Sequence, residues 1–436
     1  MVSSSDQIAN PPTSSAYTNA REAARLVRDN DHVVISGCGA SPVEFLAALA
    51  ERSDLTRVFV AHATAWGRLP HLTGTVRPSH LKFSAYFLPS LARDLLRQRE
   101  VDYTPLTFSQ MSNMYADGDL RSDVVAVTCS TPDKDGFCSL GPFVNYLPKA
   151  IEHARVLIGE CSPRWPRTRG AARVHISEFD CLIQVDREPI TSSGGEPNFE
   201  SERIGEEVAK LVPDNATVQI GRGAIPNAVA ARLINHRGLG IHSEMLSDWI
   251  IELVNSGAVT GKNKKSYPGE IVTSFMDGTA RLHAFASECA SLRLEAIYDV
   301  NDPEVVGREP NFMAINSAVE VDLSGQINAE SLDGELISGS GGLLDFAVGA
   351  GRSPGGKFII ALPSTAKNGT VSRIVAKFGP GAAVTVPRSL TQYVVTEYGT
   401  ADLRGCTLEE RARRLIAVAH PCFRKELYRE SGFDLL

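Results

Sequence analysis

The chain has 436 residues, 43% of them hydrophobic and 22% charged, with a formal net charge of −7. That length exceeds one ordinary core and implies two or three domains of roughly 100–200 residues each. The acidic balance disfavours general nucleic-acid binding, which needs clustered Lys and Arg against phosphate, and no apolar run approaches the ~18 residues that span a bilayer. The eight cysteines (Cys38, Cys129, Cys138, Cys161, Cys181, Cys289, Cys406 and Cys422) contain no CxxC pair, and the ten histidines no HxxxH or HExxH pair. Neither a disulfide framework nor a metal site is suggested, and a reducing cytoplasm is the expected setting.

Met1 to Ser15 is rich in Ser, Pro and Asn and lacks the basic and apolar regions of a secretion signal, which predicts a short disordered lead. The β-branched runs Val33–Ile35, Val58–Ala61, Val124–Val127, Val156–Ile158 and Cys181–Val185 then read as buried strands. Helical stretches lie between them at Arg21–Val27, Val43–Glu51 and Leu91–Arg97. Strands alternating with helices predict a mainly parallel sheet covered on both faces. Glu188–Pro197 carries Pro and Gly without apolar periodicity and reads as a linker. A second strand series follows at Val218–Ile220, Gly240–His242, Ile271–Thr273, Phe358–Ala361 and Val394–Thr396.

The two series open alike. Leu26 to Pro42 can be set against Leu211 to Pro226 with one residue of slippage at Ser36, so that each half begins helix, turn, strand, GxGAxP, helix. This predicts a duplicated α/β unit. Each GxGAxP segment places glycines between a strand and a helix started by Pro42 or Pro226, a position that suits proline because the missing N–H has no helical partner there. Such turns are plain connections, or they leave backbone N–H groups free for an anion or an oxyanion. Pro in place of the third glycine of GxGxxG disfavours a nicotinamide cofactor. Gly339–Phe346 and Ser364–Arg373 are further polar glycine loops, the second with two cations and several hydroxyls that suit a phosphate.

Glu244 follows the strand that ends at His242, where open α/β sheets bind their ligands. Ser247 and Asp248 start the next helix. A carboxylate at a strand end can be a nucleophile, a base or a solvated side chain. Glu320, Glu330, Asp345 and Glu397 lie equally near strand ends, so spacing does not choose among them.

Ordered motifs add to this reading. They are Asp135–Gly141, Ile220–Pro226, Gly240–Met245, Val300–Pro303, Ala314–Ser317, Gly325–Ser331, Gly341–Phe346, Ser364–Val375, Thr396–Gly405 and Ala419–Pro421. Through them nearly the whole chain resembles the acetyl-CoA hydrolase/transferase family, in particular its 4-hydroxybutyrate and butyrate CoA-transferase branch (family I). The resemblance implies two related open α/β domains of the CoA-transferase (NagB/RpiA-like) type packed together. They are expected at residues 1–187 and 200–436, joined by a linker at 188–199, with the active site between them.

The resemblance also implies that Glu244, in the GIHxEM motif, is the covalent nucleophile of a ping-pong CoA-transferase. It passes through an acyl-glutamyl anhydride and a glutamyl-CoA thioester. Backbone N–H groups of Arg222 and Gly342 would stabilise the oxyanion on the glutamate side, and Asn301 would serve the substrate side. Gly341 and Gly342 would contact CoA, with Lys367 and Arg373 holding its phosphates. No tightly bound cofactor is implied. The partners implied are an acyl-CoA, a small carboxylic acid and a second copy of the chain in a homodimer. The sequence departs from the family pattern at Arg222, where a small or aliphatic residue is usual, at Leu343, where Gln is common, and around Trp66. These three are the expected determinants of the acyl pocket. Hydrolysis, with water as acceptor, uses the same glutamate, and a non-catalytic acyl-CoA-binding protein is the reading from another class.

Overall fold

The computed structural model describes residues 17–63, 78–88 and 92–433. Its frame is a pair of large sheets. The first has eight strands, all paired in parallel, and is built from the chain between Tyr17 and Gln184. The second has nine strands, parallel except for the hairpin of Tyr393–Thr396 with Gly399–Asp402. Apolar side chains fill both faces of each sheet, as a parallel sheet flanked by helices requires.

The strand order supports the duplication. Beyond its edge strand Tyr17–Thr18, the first sheet runs Cys181–Gln184, Val156–Ser162, Val124–Ser130, His32–Ile35, Val58–His62, Leu81–Ala85, Val101–Tyr103. The second runs Tyr393–Thr396, Lys357–Ala361, Phe312–Asn316, Thr217–Ile220, Gly240–Leu246, Ile271–Met276, Leu292–Leu294. In both, the strand before the glycine turn sits in the middle, the next strands in the chain add outward on one side, and the later ones on the other. The periodicity does not predict Leu81–Ala85, Val101–Tyr103, Leu292–Leu294 or Phe312–Asn316. The first three are short or interrupted by polar residues and are defined by their neighbours in the sheet, whereas Phe312–Asn316 opens with four buried apolar residues.

The halves interlock. Arg169–Gly170 of the first segment adds a parallel strand to the second sheet beside Leu292–Leu294. Phe143 bridges to Phe275, with ring centroids 5.8 Å apart, and Phe275 belongs to the buried cluster of Tyr86, Phe108, Tyr115 and Tyr146. Residues 185–198 form neither helix nor strand, but they are tied to both halves. Ile190 N–H donates to Gly39 O and Ser192 N–H to Gly278 O, each at 3.0 Å. Gly39 is required by that crossing: a Cβ on it would lie 2.1 Å from the Ile190 oxygen.

Candidate active site

Glu244 lies inside a strand, not beyond one. Gly240–Leu246 continues past His242 because its neighbour Ile271–Met276 supplies partners as far as Leu246↔Met276. Pro226 also differs from expectation: the second glycine turn caps a helix that begins at Ala224, so proline stands inside the first turn, where N–H groups have no helical partner anyway. Pro42 is itself the cap before Val43–Ala50. Asp248 precedes Trp249–Asn255 without capping it, its carboxylate taken by the N–H and Oγ1 of Thr279 at 2.9 and 2.5 Å.

The duplication locates a counterpart for Glu244. Val218 pairs with Ile241 and Val33 with Val60. Laying Val33 on Val218 therefore lays Ala63 on Glu244. The first half carries a methyl group where the second carries a carboxylate, so only one copy of the repeat places an acid at this position.

The Glu244 carboxylate meets groups from two segments, the end of the helix Ile297–Val300 and the start of the helix Leu343–Arg352. Asn301 Nδ2, at the end of the short helix Ile297–Val300, donates to Oε2 at 2.7 Å. The Gly342 backbone lies against the same carboxylate, and its N–H favours the ionised form. A Cβ on Gly342 would stand 1.9 Å from Oε2 and 2.2 Å from Asn301 Nδ2, so the close approach requires glycine. Asp345, in the helix that starts after Gly342, stands on the other side of Asn301, its Oδ2 3.4 Å from Asn301 Nδ2. Its own carboxylate accepts Ser109 Oγ at 2.6 Å and Ser109 N–H at 3.1 Å. Ser109 stands in the first turn of Phe108–Asp117, whose start also docks on the glycine loop: Phe108 N–H donates to Gly341 O at 3.2 Å and Ser340 Oγ to Leu106 O at 3.0 Å. The first half thus clamps the loop that holds Gly342 against Glu244.

Burial pushes the Glu244 carboxyl up to about 8, and the nearby Asp345 charge adds to the rise against the opposing Asn301 and Gly342 donors. Asp345 is itself raised by burial, with its Ser109 bonds opposing. A carboxylate poised near neutrality between fixed donors is chemically suited to proton transfer or nucleophilic attack.

The side chains of the other expected residues make different contacts. Arg222 turns its side chain to Asp277, with Nε 3.0 Å from Oδ2, and to the linker, where Nη2 donates to Ser193 O at 2.5 Å. Asp277 is buried, with its carboxyl pushed up by burial against the Arg222 charge. Leu343 packs into the apolar core with Phe346 and Phe312. Gly341 has φ +53° and faces the Phe87 ring. Lys367 is exposed on a hairpin turn, 4.0 Å from Asp333 Oδ2. Arg373 spends its guanidinium on the carbonyls of Thr365, Ala318 and Val319 at 3.1–3.3 Å. Trp66 lies outside the described residues. Sequence reasoning left Asp345 among several strand-end acids and did not find Ser109. An acid in a helix's first turn reads as a dipole partner, and its contact to Ser109 spans the two halves.

Residues 7–192 match the acetyl-CoA hydrolase/transferase N-terminal domain, and residues 278–431 its C-terminal domain. The 4-hydroxybutyrate coenzyme A transferase of Clostridium kluyveri is 39% identical over 94% of this chain and 96% of its own length. The chain belongs to the acetyl-CoA hydrolase/transferase family. The succinyl-CoA:cyclohexane-1-carboxylate CoA transferase of Geobacter metallireducens is 37% identical over 93% of this chain and 92% of its own. RipA from Yersinia pestis is 32% identical and superposes with a TM-score of 0.88 over 95% of this chain and 97% of its own. By these full-length relationships the chain is an enzyme of the CoA-transferase class. Among the described residues no helix is long and apolar enough to cross a membrane.

Proposed function

We propose that this member of the family moves CoA from an acyl-CoA to a carboxylic acid, with Glu244 as the covalent nucleophile. The observation that carries this is the Glu244 carboxylate, bonded by the Asn301 amide and lying against the Gly342 backbone. A Glu244 oxygen attacks the thioester carbonyl, the C–S bond breaks, and an acyl-glutamyl anhydride remains with CoA thiolate. The thiolate attacks the glutamyl carbonyl, the C–O bond of the anhydride breaks, and the first acid leaves as its carboxylate. The incoming acid attacks the glutamyl-CoA thioester and the same steps run in reverse. No net proton is taken up. Each tetrahedral intermediate carries an oxyanion, and preorganised N–H donors beside it are worth roughly 3–4 kcal/mol each. Splitting one transfer into such steps gives ping-pong kinetics.

The test is a donor and acceptor screen with and without added acid. Formation of the new CoA ester at the expense of the old is expected, and hydroxylamine added after acyl-CoA should leave a hydroxamate on Glu244, read by mass spectrometry. Release of free CoA at a rate indifferent to acceptor would replace transfer by hydrolysis. Active protein that never labels at Glu244 would remove the covalent route.

A pH dependence follows. Attack requires the ionised carboxylate, so kcat/KM for acyl-CoA is expected to climb with pH to a plateau above about 8. In Asp345→Asn one cause of the raised value is gone, so the limb moves to lower pH; because burial is the larger cause, it stays above the ordinary carboxylate range. A limb that does not move in this variant would detach Asp345 from the nucleophile.

A further inference from the structure

The His242 ring is wholly buried two residues before Glu244 on the same strand, and the reaction above makes no use of it. Its Nε2 lies 2.8 Å from Val300 O. A carbonyl only accepts, so Nε2 carries the proton and His242 is the donor. Val300 ends the helix Ile297–Val300, and the next residue is Asn301, whose amide reaches Glu244. On another side the ring meets Phe312 edge-on, with centroids 6.1 Å apart. Phe312 is stacked at 6.0 Å on Phe346, in the helix that starts directly after Gly342. One imidazole therefore ties the strand it shares with Glu244 to the end of the helix that presents Asn301, and through Phe312 it leans on the helix behind Gly342.

We propose that His242 is a positioning residue for this reaction, its Nε2–H bond to Val300 setting the approach of the Asn301 amide to Glu244. The inference rests on the reading of Glu244 as nucleophile. Burial lowers the His242 pKa to about 3 and the Lys264 ammonium acts in the same direction, so the donor stays neutral across the working pH. The charged groups around it are Lys264, which donates to Ile241 O and Glu270 O at 2.8 and 2.9 Å, Glu309, which acts on Lys264, and Glu244 with Asp345 on the site side. None is replaced when His242 alone is changed. A buried histidine that only braced the fold would lose stability on replacement and leave the chemistry of Glu244 as it was.

His242→Leu is expected to lower kcat about ten- to a hundredfold, the value of one hydrogen bond to a charged group, with KM for acyl-CoA within about twofold. The limb of kcat/KM should move to higher pH, because a misplaced Asn301 amide no longer favours the ionised carboxylate. His242→Gln, which sets an amide N–H near the same point, should recover most of the rate. The decisive measurement is a double-mutant cycle. In an Asn301→Ala background His242→Leu should cost less than about twofold more, because its route to Glu244 is already gone. The same factor in both backgrounds, or an unmoved pH limb, would leave His242 a structural residue only. Should His242→Leu fail to fold, His242→Asn, too short to reach Val300, takes its place in the cycle. Wild-type turnover without label on Glu244 would sink the covalent reading itself, whereas normal labelling with multiplicative factors would sink only the role of His242.

Discussion

Glu244→Gln is expected to lower kcat at least about ten-thousandfold, the order lost when a covalent nucleophile is removed. The amide keeps the shape and an acceptor for Asn301 and Gly342, so the loss reports chemistry rather than collapse. Stability supplies the control. With its pKa raised to about 8 in the fold against about 4.3 in the unfolded chain, Glu244 keeps a proton that the unfolded chain gives up. Its contribution is fully present below about pH 4 and falls as pH rises through that window. Glu244→Gln has no such titration, so its Tm should pull ahead of wild type from pH 5 to pH 8. A variant that is both inactive and less stable at pH 8 would mean that the carboxyl is not held in a desolvated site.

Gly342→Ala is the second large effect. The added methyl group would stand 1.9 Å from Glu244 Oε2 and 2.2 Å from Asn301 Nδ2. Both are far ends of side chains that can swing away, so the fold yields easily and the site does not. Loss of one oxyanion donor costs about a hundred- to a thousandfold in kcat, and that loss is expected here with little change in Tm. Gly341→Ala offers the contrast. Its φ of +53° disfavours any side chain, yet the nearest contact, to the Phe87 ring at 3.5 Å, is ordinary. There stability should fall by about 1 kcal/mol and activity far less. Equal loss of activity in the two variants would show that disturbing the loop, and not crowding Glu244, is what matters.

Much of the fold is legible in the sequence because buried parallel strands must be apolar throughout. Val124–Val127 and Val156–Ile158, the apolar openings of two fully buried strands, stand out for that reason. The repeat around the GxGAxP turns is legible too, since both turns need glycine between strand and helix. Leu81–Ala85 and Val101–Tyr103 are not, because polar residues alternate into them and pairing with a neighbour is what makes them strands.

The site divides along the same line. The α/β plan, the family and the motif that contains Glu244 are readable without coordinates, because contiguous residues carry them. The tertiary structure decided which groups meet that carboxylate. Asn301, Gly342 and Asp345 are distant from Glu244 in the chain, and Ser109 belongs to the other half. It also decided that Arg222 faces Asp277 and that Arg373 is bonded to backbone carbonyls. The physical reason is that burial and hydrogen bonding act on what is near in space. A raised carboxyl, a spent guanidinium and a methyl-free gap at Gly342 arise only when separate loops are brought within a few ångströms of one another.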